Sequence, residues 1–181
     1  MKPGFLGPAV VLALIAMTIG VYRYQYPFGQ RRCALACMCS SLLSYAMEHN
    51  GRFPYSENGP HAALEKLYPD FAPSGRELAG ISGNIRSVKL ALEKKLGLGT
   101  NLTSWVYHQG LTINDHGTIA ILWESRAGLY ANGRRNSFGG RAVLLIDGTI
   151  TNVSENDWPS FIRKQARLRK SVLLDGSDAE R

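Results

Sequence analysis

Cysteine is scarce in this chain, and what there is sits together. The 181 residues include three cysteines, Cys33, Cys37 and Cys39, all within one short segment. An odd number on one segment cannot staple a domain. On a helix, Cys33 and Cys37 lie a turn apart and Cys39 points elsewhere. A structural zinc site needs four ligands, and no second Cys/His cluster supplies them. Set against a metal site or a redox pair, small apolar residues on a packed helix are the favoured reading. Long basic runs are also missing. Lys plus Arg number 21 against 14 Asp plus Glu, a net charge of +7, and five basic residues never occur in a row. Such an excess suits nucleic acid, anionic lipid headgroups or an acidic partner, but dispersed surface charge accounts for it first. No triad spacing or metal motif occurs. The sequence therefore speaks of place and assembly rather than chemistry, and implies neither enzymatic activity nor a cofactor.

One stretch lacks charge altogether. Phe5 to Tyr22, FLGPAVVLALIAMTIGVY, would span about 27 Å as a helix, close to the hydrocarbon thickness of a bilayer. A cleaved signal peptide is the second reading, but its apolar core is usually shorter and ends in a small-residue cleavage site. This run instead gives way to Tyr22, Tyr24 and Tyr26 around Arg23, an interfacial anchor pattern. A buried soluble helix ranks below both, because the run has no polar face. Lys2 lies before the run and Arg23, Arg31 and Arg32 after it, so charge alone does not set the orientation. The remainder, about 155 residues, makes one ordinary domain. The expected divisions are a short leader at 1–4, the membrane helix at 5–22 and a juxtamembrane linker at 23–32. A globular domain at 33–174 and a polar tail at 175–181 complete the chain.

Beyond the anchor, Pro27 and Gly29 break helical continuity. Cys33 to Asn50 reads as a helix with Leu35, Met38, Leu42 and Tyr45 in one apolar stripe, stopped near Gly51. A short helix begins at Gly59-Pro60 and ends at Pro69. Ser74 to Glu77 has capping-box spacing. Asn84 to Leu96 is a predicted helix with Ile85, Val88, Leu92 and Leu96 on one face. From Thr103 the period changes to two. Trp105 and Tyr107 share a face, as do Ile119, Ile121 and Trp123. Arg141 to Ile146 is apolar on both faces, as in a central strand. Asp147-Gly148 then predicts a two-residue type I′ hairpin turn into Thr149 to Val153, which makes Asp147 and Gly148 structural turn residues. Asn156 to Leu173 is an amphipathic helix. Trp158, Phe161, Ile162, Ala166 and Val172 lie on one face, and Arg163, Lys164, Arg167 and Lys170 on the other. The expected fold is α+β: the membrane helix, then helices on a small antiparallel sheet of about four strands, closed by that amphipathic helix.

Four phrases carry a resemblance. Tyr45-Ala46-Met47-Glu48-His49-Asn50-Gly51-Arg52-Phe53-Pro54 resembles the "Y-A-x-D-x-x-G-x-F-P" of bacterial pilin-like and pseudopilin-like proteins. Leu64-Glu65-Lys66-Leu67-Tyr68-Pro69-Asp70-Phe71 is similar to their "L-x-x-L-Y-P-x-Y". Ser104 to Leu111 resembles "S-Y-V-Y-x-x-G-L", and Gly139 to Gly148 resembles "G-G-x-N-V-L-F-x-D-G". The resemblance covers roughly residues 40 to 165. The group's His, ten positions before the Asp, is Ser137 here, and its Cys ahead of Pro-Ser is Ala72. A prepilin peptidase would cut between Gly4 and Phe5, and the glutamate expected five residues after that cut is Ala9. The resemblance implies a single-pass protein of the cytoplasmic membrane with an extracytoplasmic head. It implies a structural or accessory subunit of a type II secretion or type IV pilus-like assembly, with other pilin-like subunits and membrane lipid as partners. Neither nucleic acid nor a small-molecule substrate is expected. Two rivals remain. A membrane-anchored enzyme would converge His108, His116, Glu124 and Asp147. A nucleic-acid or lipid binder would use the basic last helix, with Trp158 and Phe161 exposed beside its arginines.

Overall fold

A computed structural model describes residues 6–31, 33–99 and 101–178, with side chains in the terminal helices described for residues 8–171. The first helix, α1, is Leu6–Gln25. It carries the uncharged run and continues past it by three residues. Pro8 falls in the first turn, where its missing N–H leaves no bond unmade. Thr18 Oγ1 donates to Leu14 O at 2.8 Å, so the run's one aliphatic hydroxyl is satisfied within the helix. Positions Pro8 to Gln25 are long and apolar enough to cross a membrane, and none of them is buried against the rest of the protein. Arg23 lies in the last turn, where a cation complements the helix dipole. The chain then breaks at Pro27 and Gly29, the latter at φ 77°. A separate helix, α2, occupies Ala34–Glu48.

The head forms around α2. Its stripe of Leu35, Met38, Leu42 and Tyr45 is buried, as its spacing predicts. Two short helices, α3 (Pro60–Glu65) and α4 (Ile85–Glu93), and a single 3-10 turn at Glu77–Ala79 flank it. The strands are β1 (Trp105–Tyr107), β2 (Ala120–Glu124), β3 (Arg141–Leu145) and β4 (Ile150–Val153). They form one antiparallel meander in the order β1-β2-β3-β4. One face joins α2 and α3 in the main core, through Trp105, Tyr107, Leu122, Ala142 and Leu144. The other face presents Ala120, Trp123 and Val143 to the last helix, α5 (Trp158–Asp178), which covers them with Trp158, Phe161 and Ile162. This is the expected α+β architecture.

Several local expectations need correction. Ala120 pairs with Leu145 and Leu122 with Leu144, so Ile121 is an extra residue in β2. That bulge shifts the alternation. Ile121 and Leu122 both join the main core, and Trp123 turns to the α5 face, away from Ile119 and Ile121. Leu96 is 71% exposed, because α4 ends at Glu93 and Lys95 turns the chain out at φ 52°. Ser74 bonds the Glu77 carboxylate at 2.8 Å, but the turn it precedes is capped by Arg76 without a side-chain bond, so no capping box forms. On α5, Ala166 is exposed, whereas Gln165 is buried and Leu168 packs on the core. Gln165 accepts from Ala120 N at 2.8 Å and donates to Thr118 O at 3.0 Å, which pins the helix to the sheet. The helical backbone of α5 also runs on through residues 175–178, where a polar tail was expected.

Candidate functional site

The hairpin after β3 differs from the predicted turn. Gly148 N donates to Leu145 O at 3.1 Å and Leu145 N to Thr149 O at 2.9 Å. Gly148 has φ 83°, while Asp147 is not among the residues at positive φ. The connection is therefore a three-residue loop closed by a glycine bulge rather than a type I′ turn, which would need positive φ at both central positions. Asp147 still works as a turn residue, since its Oδ1 accepts from Thr149 N at 2.8 Å.

The polar residues that an enzyme would need do not converge at one point, although the loops of His116 and Asp147 adjoin, with Asp147 N donating to Gly117 O at 3.2 Å. His116 is exposed, with Nδ1 at 2.9 Å from Thr118 Oγ1. Asp147 is exposed on the neighbouring loop. Glu124, at the far end of β2, is fully buried. Its carboxylate accepts from Ile81 N (2.9 Å), Ser82 Oγ (2.7 Å), Ser104 Oγ (2.7 Å) and Arg126 N (3.2 Å). A buried charge is tolerable only with such partners, and these partners occupy its lone pairs. Glu124 is thus a brace between β2 and the 81–83 loop. His108 is half-buried, with its ring 4.7 Å from that of Trp123. Its Nε2 is buried with no partner, as is Nη1 of Arg169. Burial, and secondarily the Arg169 charge, pushes the His108 pKa down to about 4. Among the described residues no hydrogen bond joins any two of these four. Among the described residues none of their groups combines with neighbours into a metal-holding cluster of three His, Cys, Asp or Glu. Gly4 and Phe5, the expected cleavage pair, lie outside the described residues.

The cysteines correct the reading of all three as apolar packing. Cys33 and Cys37 form a disulfide, with Cα atoms 5.2 Å apart. Cys33 stands at the N-cap of α2, outside the regular helix, and this brings it within bridging distance. The bridge closes a single turn and staples nothing further. Cys39 alone fits the packing reading. It is free, half-buried beside the hairpin, and its thiol pKa is raised, by burial first and then by Asp147.

The basic residues Arg163, Lys164, Arg167 and Lys170 line the exposed side of α5. The aromatic residues of this helix do not join them. The Trp158 ring packs edge-on against Trp123 at 5.8 Å, and the Arg141 guanidinium covers it at 4.5 Å. Phe161 stacks on Trp158 at 5.5 Å. These rings form a satellite core, not a stacking platform beside the basic face.

The most elaborated polar geometry is the joint between α1 and the head. The last carbonyls of a helix lack intrahelical partners. Here Arg135 takes two of them: its backbone N donates to Gln25 O at 2.7 Å and its Nε to Tyr24 O at 3.2 Å. The same guanidinium lies 4.7 Å over the Tyr24 ring. Arg31 N donates to Asn132 O at 2.9 Å. The Arg31 side chain reaches inward to Ile81 O at 3.2 Å and Gly83 O at 3.1 Å. Burial lowers the Arg31 pKa, Arg76 lowers it further, and the Glu124 charge partly offsets both. Gly133, at φ 82°, lies so close that a Cβ would meet Gly29 O at 3.0 Å. The arrangement fixes a helix end onto a head; it holds no group poised for a reaction.

No protein-family model, curated protein or solved structure matches the chain. Sequence reasoning missed this joint. Arg31 and Arg32 entered it only as orientation charges. No local signal marks it, because its partners Tyr24 and Gln25 lie far in sequence from Arg135, and Arg31 from Asn132.

Proposed function

We propose that this chain is a membrane-anchored, non-catalytic subunit of a type II secretion or type IV pilus-like assembly. Its head stands on the extracytoplasmic side of the cytoplasmic membrane, and it joins other subunits rather than copies of itself. One observation carries the reading: an apolar helix long enough to cross a bilayer, charged only at Arg23 in its last turn, leads to a head in which the next helix packs on an antiparallel meander. Three further points support it. The pilin-like phrases meet in one place, for Tyr45, Leu64, Leu67, Trp105, Tyr107 and Leu144 share the main core. The Tyr107 hydroxyl donates to Pro54 O at 2.7 Å, tying two of the phrases together. The Cys33–Cys37 disulfide suits an oxidising compartment.

The surface of α1 suits assembly with other helices. Ala9, Ala13, Ala16 and Gly20 recur at spacings of four and three, which lets another helix approach closely in lipid. The charged residue that in pilin-like proteins is thought to meet a neighbour's N-terminal amine is Ala9 here, so self-polymerisation lacks its electrostatic drive. The test is expression alone, followed by crosslinking and electron microscopy. The expected outcome is no regular filament, with Ala9→Glu gaining self-association. Regular filaments built from this chain alone would overturn the reading.

A further inference from the structure

Charge is segregated along the chain. Residues 1–47 and 125–146 hold eight of the 21 basic residues and none of the 14 acidic ones. Taking those eight from 21 leaves 13 basic against 14 acidic residues elsewhere, so the whole positive excess belongs to these two stretches. The fold brings the end of α1 and Arg31, from the first stretch, against Arg134 and Arg135, from the second, at the α1–head joint. There a crevice of about 380 Å³ runs between α1 and the loop before β3, lined by Gly20, Val21, Tyr24, Arg134, Arg135 and Ser137. Gly20 is about 7 Å back along the helix from Gln25 at 1.5 Å per residue. The two arginines therefore reach down beside the anchor to the depth where the tyrosines mark the water boundary. Phe138, next on that loop, is 89% exposed, the most exposed large apolar side chain described.

We propose that this crevice binds the headgroup of an anionic phospholipid. The inference rests on the reading of α1 as a membrane span. The loop has cations and no carboxylate to compete for them, and guanidinium groups pair with phosphate oxygens through parallel N–H bonds. Arg135 is already turned to the helix end, which leaves exposed Arg134 to face the phosphate. Val21 and Gly20 line the crevice where acyl chains would begin, and Phe138 adds an apolar contact at the membrane surface. A free phosphate would share the polar contacts but not the apolar ones, so the occupant is a lipid. The site would seat the head against the bilayer at a fixed orientation to α1.

The test uses the full chain in neutral detergent, titrated with phosphatidylglycerol or phosphatidylcholine and read by native mass spectrometry. Phosphatidylglycerol should be retained in clear preference. Arg134→Gln should weaken it by about fivefold, the effect of one cation near an anionic surface. Phe138→Ser should weaken binding of that lipid as well. Both side chains are exposed, so neither change removes a core contact. Millimolar inorganic phosphate should not displace the lipid. Equal retention of the two lipids, unchanged binding by Arg134→Gln, or displacement by phosphate would overturn the site. A chain that stays in carbonate-washed membranes yet shows no lipid preference refutes this site alone. A chain that washes out refutes the anchor on which it rests.

Discussion

His108 and Arg169 are the two residues whose buried polar atoms find no partner among the described residues. The fold keeps His108 neutral, with its pKa pushed down from 6.5 to about 4. Linkage gives the sign. The unfolded chain takes up the proton below about pH 6.5, while the folded chain resists it until about pH 4, so stability falls as pH is lowered through that window. His108→Gln removes the titration. Thermal unfolding of the wild type should therefore lose more on going from neutral pH toward pH 4 than that of His108→Gln, and equal pH slopes would refute the assignment. Single residues were the hardest scale to read from sequence. His108 stood among candidate catalytic groups because nothing in its neighbours in the chain announces Trp123 and Arg169. Glu124 stood there too, and only the register of β1 with β2 brings Ser104 beside it. Asp147 was legible, since a turn aspartate bonds its own backbone two residues on and needs no distant partner.

At the scale of elements, the hairpin offers the sharpest test. Gly148 at φ 83° takes a conformation that costs a β-branched residue heavily, and a Cβ there would lie 3.6 Å from Cys39 Sγ. Gly148→Val should destabilise the head by about 1–3 kcal/mol. Asp147→Asn should be nearly silent, because an amide oxygen can also accept from Thr149 N. Denaturant midpoints decide it, and a large loss in Asp147→Asn would point to a role for the charge. Elements were legible where the chemistry is local. The α2 stripe, the break at Pro27 and Gly29, and the four strands all come from spacing and turn residues. The misread features depended on pairing. The bulge at Ile121 arises because β3 has one residue fewer than β2 between the same partners, and it alone moves Trp123 to the α5 face. Likewise Gln165 is buried where Ala166 was expected, because Ala120 N and Thr118 O, far off in sequence, need the Gln165 amide.

For the whole molecule, α1 is the decisive element. In α1, Pro8 to Gln25 have no buried position, which leaves a long apolar surface exposed unless a membrane or partner helices cover it. The head supplies no covering surface, yet it grips the helix end through Arg135 and the backbone of the Asn132–Gly133 turn. That combination, a free shaft and a fixed joint, makes sense when the shaft lies in lipid and its orientation is passed to the head. The uncharged run was the clearest feature of the sequence, because length and apolarity are properties of contiguous residues and need no distant partner. The joint was not legible, because it is built from two stretches about 100 residues apart. Carbonate extraction of membranes from cells expressing the full-length chain tests the central claim most directly. The chain should remain in the membrane pellet; recovery of the full-length chain in the soluble fraction would contradict it.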